Sequence, residues 1–250
     1  IKTLKKKFKK FKIDGYIVPK NDEYFSEYPK NDRLKNITNF SGSAGVAVIL
    51  KKKSYLFVDG RYTIQAQQES SQNYNIIEIH KKLPHKIIKN YNLGYDPKLF
   101  SSKTLKNYFS NNNLISIKEN LIDQIFEFKE NKKKPFYSLE KNIVGETHQS
   151  KISKIKNFLR LNKADYLFIS APENVAWLLN IRGYDNPFSP IPNAKIIIDK
   201  NKKLFLITKK DNAKKIIKEK KINNNQVIDI KDLPNLIDKL KGRNFIIDNK

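Results

Sequence analysis

Apolar residues open the chain at helical spacing. Ile1, Leu4 and Phe8 recur every three or four residues through "IKTLKKKFKKF", with lysines filling the positions between them. A short unbroken apolar run, "DGYIV", follows. The pattern predicts a helix over 2–11 that buries one face, then a buried strand over 15–19. The same pattern returns at a shift of 151: Ile152, Ile155 and Leu159 repeat the helical stripe, and "DYLFI" repeats the apolar run. A second helix over 153–162 and a second strand over 166–170 are expected.

The correspondence continues along both copies. "GVAVIL" (45–50) matches "AKIIID" (194–199), and "SYLFVDG" matches "KLFLITK", both at an offset near 148. "NIIEI" (75–79) matches "QVIDI" (226–230), Leu83–Pro84 matches Leu233–Pro234, and "NLGYDPK" (92–98) matches "NFIIDNK" (244–250). Landmarks this close to one offset indicate a tandem duplication of an α/β domain, so the two copies should share one topology. The first domain is expected over 1–128, with "ENLIDQIFE" (119–127) as its closing element. A linker is expected over 129–146, where Pro135 interrupts a stretch without apolar period, and the second domain over 147–250. That second copy stops where the first still has some 30 residues to run, so it reads as truncated at its C-terminal end.

Composition changes this picture little. The 250 residues carry a net charge of +25, with 45 lysines against five arginines. Such a charge suggests a nucleic-acid partner. The lysines are spread along the whole chain, however, in runs no longer than three, while asparagine and isoleucine are inflated with them. That pattern follows from an AT-rich coding bias, so no specific nucleic acid is expected; a nonspecific basic binder remains an alternative. The basic helix at 1–11 could also lie on a membrane surface. Its less basic counterpart keeps the same apolar positions, so core packing is the reading preferred and no membrane is expected. No apolar run approaches the ~20 residues of a span. With no cysteine, no apolar segment after the basic start and no methionine, the chain is expected to be a trimmed cytoplasmic protein.

Most catalytic templates are missing. His80, His85 and His148 lie in no ligand spacing and read as surface histidines. "SGSAG" (41–45) has the wrong spacing for a nucleophile elbow and reads as a tight turn into the strand at 46–50; Gly42, Gly45 and Gly60 mark turns. In "APENVAWLLNIRG" (171–183), Val175, Trp177, Leu178 and Ile181 read as a core stripe, and Arg182 as a partner for a carboxylate. Arg61 stands apart. In "FVDGRYTIQAQQES" it sits at the head of a helix expected over 62–70, where the macrodipole opposes a cation. The duplicate, "FLITKK", keeps neither the glycine nor the arginine. A side chain that the fold does not require twice is a candidate for function, and its planar five-donor fork suits a carbonyl or carboxylate.

These stretches resemble the N-terminal region of the Xaa-Pro aminopeptidase (aminopeptidase P) family, in the creatinase/prolidase superfamily. The family's "AYIVP", "HxSEY", "FxGSAGTA" and "TDGRY-x-x-QA" read here as "GYIVPKNDEYFSEY", "NFSGSAGVA" and "VDGRYTIQA". Its "DEIAWLLNLRGSDIPxNP" reads as "ENVAWLLNIRGYDNP", departing at Asn174, at Tyr184 and in the spacing after Pro187. The resemblance implies two tandem, duplicated creatinase N-terminal-like (ribonuclease H-like) α/β domains with mixed sheets flanked by helices. It also implies a further "pita-bread" metallopeptidase domain, absent from this sequence, with two divalent metal ions, usually manganese. The enzyme would release the N-terminal residue of peptides with proline second. On this resemblance the chain holds no catalytic residue, no metal and no cofactor. Arg61 would contact the peptide substrate. The expected partners are proline-containing peptides, the chain's own C-terminal catalytic domain and, as a candidate, a second copy in a homodimer. A catalytically inactive, peptidase-like interaction module is the alternative from another class.

Overall fold

A computed structural model describes residues 1–70, 72–128 and 134–248, which fall into two compact units on either side of residues 129–133. In the first, helix α1 (Lys2–Phe11) ends at Lys12 in the left-handed region (φ 53°), and the chain turns into strand β1 (Gly15–Pro19). Helix α2 (Arg33–Thr38), capped by the Asp32 side chain, leads to the hairpin β2 (Gly45–Leu50) and β3 (Ser54–Val58). Helix α3 (Thr63–Ser70), β4 (Asn75–Glu78), the single turn α4 (Pro84–Ile87), β5 (Asn92–Tyr95), α5 (Ser102–Phe109) and β6 (Asn113–Ser116) complete the unit. The strands form one sheet in the order β4-β3-β2-β1-β5-β6. β2 is antiparallel to both β1 and β3, while β4, β5 and β6 pair parallel to their neighbours.

β1 is buried over its whole length because both sheet faces are covered. Tyr16 and Val18 point to one core with Leu4 and Phe8 of α1; Ile17 points to the other with Ile88, Leu93 and Phe109. The expected closing element does close the unit. Leu121 and Ile122 are fully buried in the first core, and Asp123 grips Arg33 of α2 through paired bonds (Nε–Oδ1 2.7 Å, Nη2–Oδ2 2.8 Å). Glu23 binds the same guanidinium at 2.7 Å. Burial opposes the charge on Arg33, but the bonds to Asp123 and Glu23 prevail and its pKa is raised. These are the bidentate bonds that only arginine supplies.

The second unit contains β7 (Tyr137–Ser138), α6 (His148–Leu161), β8 (Tyr166–Ile169), α7 (Pro172–Leu179), β9 (Ile181–Arg182), β10 (Lys195–Asp199), β11 (Leu204–Ile207), α8 (Lys210–Lys218), β12 (Val227–Ile228), α9 (Leu233–Lys239) and β13 (Phe245–Ile247). Its main sheet has the order β12-β11-β10-β8-β13. This is the first sheet's order without a counterpart of β6, and every pair keeps its direction. Gly15 faces Leu50 in one ladder as Tyr166 faces Asp199 in the other. The duplication read from the apolar pattern is therefore a duplication of topology.

Three expectations need correction. Residues 136–138, expected in the linker, belong to the second unit: Phe136 is fully buried in its core, and β7 pairs with β9. Two residues of strand are too short to show a period. Residues 129–133 of that linker, and 249–250 of the last matched stretch, lie outside the described residues. Trp177 is not core but 58% exposed, because on α7 the buried stripe runs Val175, Leu178, Leu179 and Trp177 falls outside it. Its ring instead lies under the ammonium of the buried Lys151, 4.2 Å away, whose Nζ donates to the Trp177 carbonyl and to Asn180 Oδ1. Finally, the β10–β11 connection (200–203) is one residue longer than the β2–β3 connection (51–53). The ladders consequently set Val46–Phe57 against Lys195–Ile207, which brings Asp59 to Lys209 and Arg61 to Asp211 rather than onto "FLITKK" as first aligned.

Two substitutions test this packing. Phe136→Ala should destabilise the second unit by about 3–5 kcal/mol, the usual cost of deleting a buried phenyl. Urea unfolding followed by Trp177 fluorescence reads that unit; an unmoved midpoint would return Phe136 to the linker. A Cβ on Gly15 would lie 2.5 Å from Leu50 Cδ2 and 2.9 Å from the Ile49 carbonyl oxygen. Gly15→Ala should cost the first unit about 1–3 kcal/mol, seen in its tyrosine near-UV signal.

Candidate functional site

Arg61 does not sit inside α3. It occupies a 3₁₀ turn, Gly60–Tyr62, that precedes the helix, and Asp59 caps that turn by accepting from the Arg61 backbone N–H at 3.0 Å. The cap supplies negative charge where a bare helix start would repel a cation. The same Asp59 oxygen accepts from Arg61 Nε at 2.8 Å, and its other oxygen lies 3.4 Å from His80 Nε2. The bond to Arg61 is the main reason that Asp59 is pulled down to about 2, so it is a carboxylate at any working pH. Asp59 in turn raises the pKa of Arg61.

The arginine side chain is 72% exposed, and its guanidinium carbon lies 5.4 Å from the centre of the Tyr62 ring. Nε is committed to Asp59, while the terminal amino groups have no hydrogen-bond partner among the described residues. Arg33, the other arginine of this unit, is 5% exposed and is bound through Nε and Nη2 by two carboxylates, with Nη1 buried and unpaired. Two arginines in one domain thus have opposite situations: one is locked in the scaffold, the other is anchored at one nitrogen and open at the rest.

"SGSAG" has a structural task beneath this arginine. The Ser43 and Tyr62 hydroxyls are 2.9 Å apart, and Phe40 meets the Tyr62 ring edge-on at 6.0 Å between centroids. A Cβ at Gly42 would fall 2.3 Å from the Phe40 ring, so no other residue fits there without moving it. Ser41 donates from its N–H and hydroxyl to Glu69, and Gln65 donates to Ser41. Two motifs that are separate in sequence are one packed unit. Gly60 has no left-handed φ; its nearest neighbour is the Glu78 carboxylate, 3.2 Å from where a Cβ would stand.

The third motif stretch reaches the same place. After β1 the chain forms a loop held by the buried Asp22, whose Oδ1 accepts from the N–H groups of Tyr24 and Ser26. Phe25 stands on that loop at φ 59° with its side chain exposed, and Glu27 is close enough to favour the charge on Arg61. Between this loop, the start of β2 and the ends of β3 and β4 lies a cavity of about 280 Å³ with Asp59 and His80 on its wall. The sequence reading found Arg61 but neither Phe25 nor this cavity. An aromatic between polar residues gave no periodic signal, and a cavity needs strand order to be seen.

The other expectations are placed as follows. His80 is exposed beside Asp59; His85 Nδ1 lies 2.9 Å from the Asn107 carbonyl oxygen. His148 is half-buried at the start of α6, where burial together with Lys221 and Lys151 pushes its pKa down. Arg182 donates to the backbone carbonyls of Ile181 and Ala176. Among the described residues, no three His, Cys, Asp or Glu side chains are grouped to hold a metal ion. No described helix is long and apolar enough to cross a membrane.

Comparison with known proteins places this geometry. The family model described as the creatinase/prolidase N-terminal domain matches residues 1–125, and a second model of the same description matches 127–250. The chain is 32% identical to Xaa-Pro aminopeptidase 2 of Rattus norvegicus over 82% of its length and 33% of that protein's. It is 33% identical to Xaa-Pro aminopeptidase 1 of Dictyostelium discoideum over 81% of its length and 36% of that protein's. It spans about a third of the length of these relatives. Among solved structures, X-prolyl aminopeptidase from Caenorhabditis elegans, described as a cytosolic enzyme with a di-nuclear active site, superposes with a TM-score of 0.83 at 21% identity. That match covers 95% of this chain and 43% of the other, and it carries the fold. With one family description matched by each half and one strand order built twice, the chain belongs to the creatinase/prolidase N-terminal domain family and carries two such domains in tandem.

Proposed function

We propose that the chain is the N-terminal, non-catalytic part of a metal-dependent Xaa-Pro aminopeptidase, and that Arg61 contacts the peptide substrate. The observation that carries the reading is the state of Arg61 itself: anchored through Nε, stacked beside Tyr62 and open at its terminal amino groups. A guanidinium held this way can donate two parallel hydrogen bonds to a peptide carbonyl or carboxylate. The relatives named above are Xaa-Pro aminopeptidases, and they extend well beyond the part matched here. By the sequence resemblance, two divalent ions, usually manganese, would be held by a catalytic domain outside these 250 residues. The metals would supply the attacking hydroxide there. This chain's share of the chemistry is binding: Arg61 orients peptide, and Asp59 orients Arg61.

Two experiments test the reading. The 250-residue chain alone should not hydrolyse a Gly-Pro peptide with added manganese; turnover above a metal-free blank would show that it carries its own catalytic site. In the full-length enzyme, Arg61→Lys keeps the charge and loses the fork. It should lower kcat/KM about ten- to a hundredfold, the range for a lost charge-assisted hydrogen bond. Its Tm should stay within about 2 °C, as for most exposed substitutions. A destabilised variant with full activity would assign Arg61 to the scaffold instead.

A further inference from the structure

The cavity beside Asp59 has a shape and a wall that the contact at Arg61 does not use. It opens at the C-terminal ends of β1, β3 and β4, marked by Pro19, Val58 and Ile79. Phe57, Phe100 and Tyr108 also line it, so apart from Asp59 and His80 at one side its surface is largely apolar and aromatic. At about 280 Å³ it falls just under the ~300–1,000 Å³ of pockets that enclose a drug-sized ligand, which sizes it for one large side chain rather than a cofactor.

Phe25 is the second observation. Its side chain lines the cavity and is 53% exposed. Its backbone lies at φ 59°, a region that a bulky aromatic residue rarely adopts. Two backbone N–H bonds to the buried Asp22 hold the loop, and the Phe25 N–H donates to the Asp22 carbonyl at 3.0 Å. A strained aromatic that remains half in water gains little for folding. At the mouth of an apolar cavity it completes a wall for a ligand.

The third is adjacency. Asp59 lines the cavity and accepts from Arg61 Nε at 2.8 Å, so the guanidinium, itself outside the lining, is one hydrogen bond from the cavity wall. We propose that Arg61 and this cavity form one peptide subsite: the guanidinium holds a carbonyl or C-terminal carboxylate oxygen, and the cavity takes one large apolar side chain of the same peptide. The inference rests on the reading of Arg61 as a peptide contact and adds what that contact selects.

The test is an NMR shift titration of the ¹⁵N-labelled 250-residue chain at millimolar peptide. Ala-Pro-Gly-Gly-Phe is compared with Ala-Pro-Gly-Gly-Gly and with the Phe peptide amide. The Phe peptide should bind about tenfold or more tightly than the Gly peptide, the gain for burying a phenyl ring, with shifts at residues 44–46, 58–61 and 79–80. Ala44→Leu narrows the cavity without touching Arg61, and Thr104→Leu does so from the α5 side; either should bring the ratio close to one while the spectrum stays dispersed. Arg61→Lys should weaken Phe and Gly peptides alike. Loss on amidation assigns the oxygen to the terminal carboxylate, and no loss assigns it to a chain carbonyl. Equal binding of Phe and Gly peptides, a Phe preference that survives both cavity substitutions, or no shift at the cavity residues would overturn the subsite. If Arg61→Lys alone abolishes binding and the side chain makes no difference, the cavity fails and the role of Arg61 stands. If Arg61→Lys changes nothing, that role fails as well.

Discussion

β2 runs antiparallel to both of its neighbours, and the candidate site follows from that pairing. Two strands antiparallel to a third must point the same way, so β1 and β3 end on one edge of the sheet. β4, parallel to β3, ends there too. The residues that leave those ends are the Asp22–Phe25 loop, the Asp59–Tyr62 turn and His80, and the turn that enters β2 at the same edge is "SGSAG". Motifs separated by some forty residues meet because backbone pairing leaves them no other place. A one-residue slip of β3 would reverse which side chains face the core and would carry Asp59 away from His80.

The second unit shows how much of this the fold itself demands. It repeats the antiparallel pair and the parallel flanks, yet at the end of its third strand it places Lys209 and Asp211 where the first has Asp59 and Arg61. Helix α8 starts there without any side-chain cap hydrogen bond. A helix start is what the architecture needs at this point; an arginine anchored by an aspartate is not. The contrast between the copies also holds along the sheet. Gly15 lies against Leu50 and Leu93, while its counterpart Tyr166 stacks on Phe245 with 5.0 Å between ring centroids. The same ladder is filled by small-with-large packing in one copy and by paired aromatics in the other, so equal topology does not require equal side chains.

What could be read from the sequence follows the same division. β1, β2, β3 and their duplicates were legible because their apolar runs are unbroken, whether the strand is buried throughout, as β1 is, or half-buried, as β8 is. The stretch 119–127 was legible as a closing element, but the Arg33–Asp123 bond within it spans 90 residues and leaves no local pattern. Trp177 was misread because one aromatic next to a buried stripe looks like a member of it; only the 100° step per residue separates Trp177 from Val175 and Leu178. Phe136 was lost in a run of lysines and proline. Arg61 could be singled out since arginine is rare here, whereas its anchoring partner Asp59 read only as half of an Asp-Gly turn.

That anchoring bears on binding more than on stability. An exposed ion pair contributes little to folding, and the bond from Asp59 to Arg61 is of this kind. Its consequence is geometric. Arg61 Nε is fixed by Asp59, the guanidinium lies near the Tyr62 ring, and Tyr62 is itself held by Ser43 and Phe40. A long side chain normally surrenders its rotamer freedom when it meets a ligand, and that loss subtracts from affinity. Here much of the freedom is already surrendered when the domain folds. Lysine in the same position has one nitrogen, so Asp59 and a ligand would have to share a single ammonium, with no planar pair of donors left to present. In a chain that uses lysine almost everywhere a positive charge is wanted, the arginine at 61 is the residue that can be tethered and available at once.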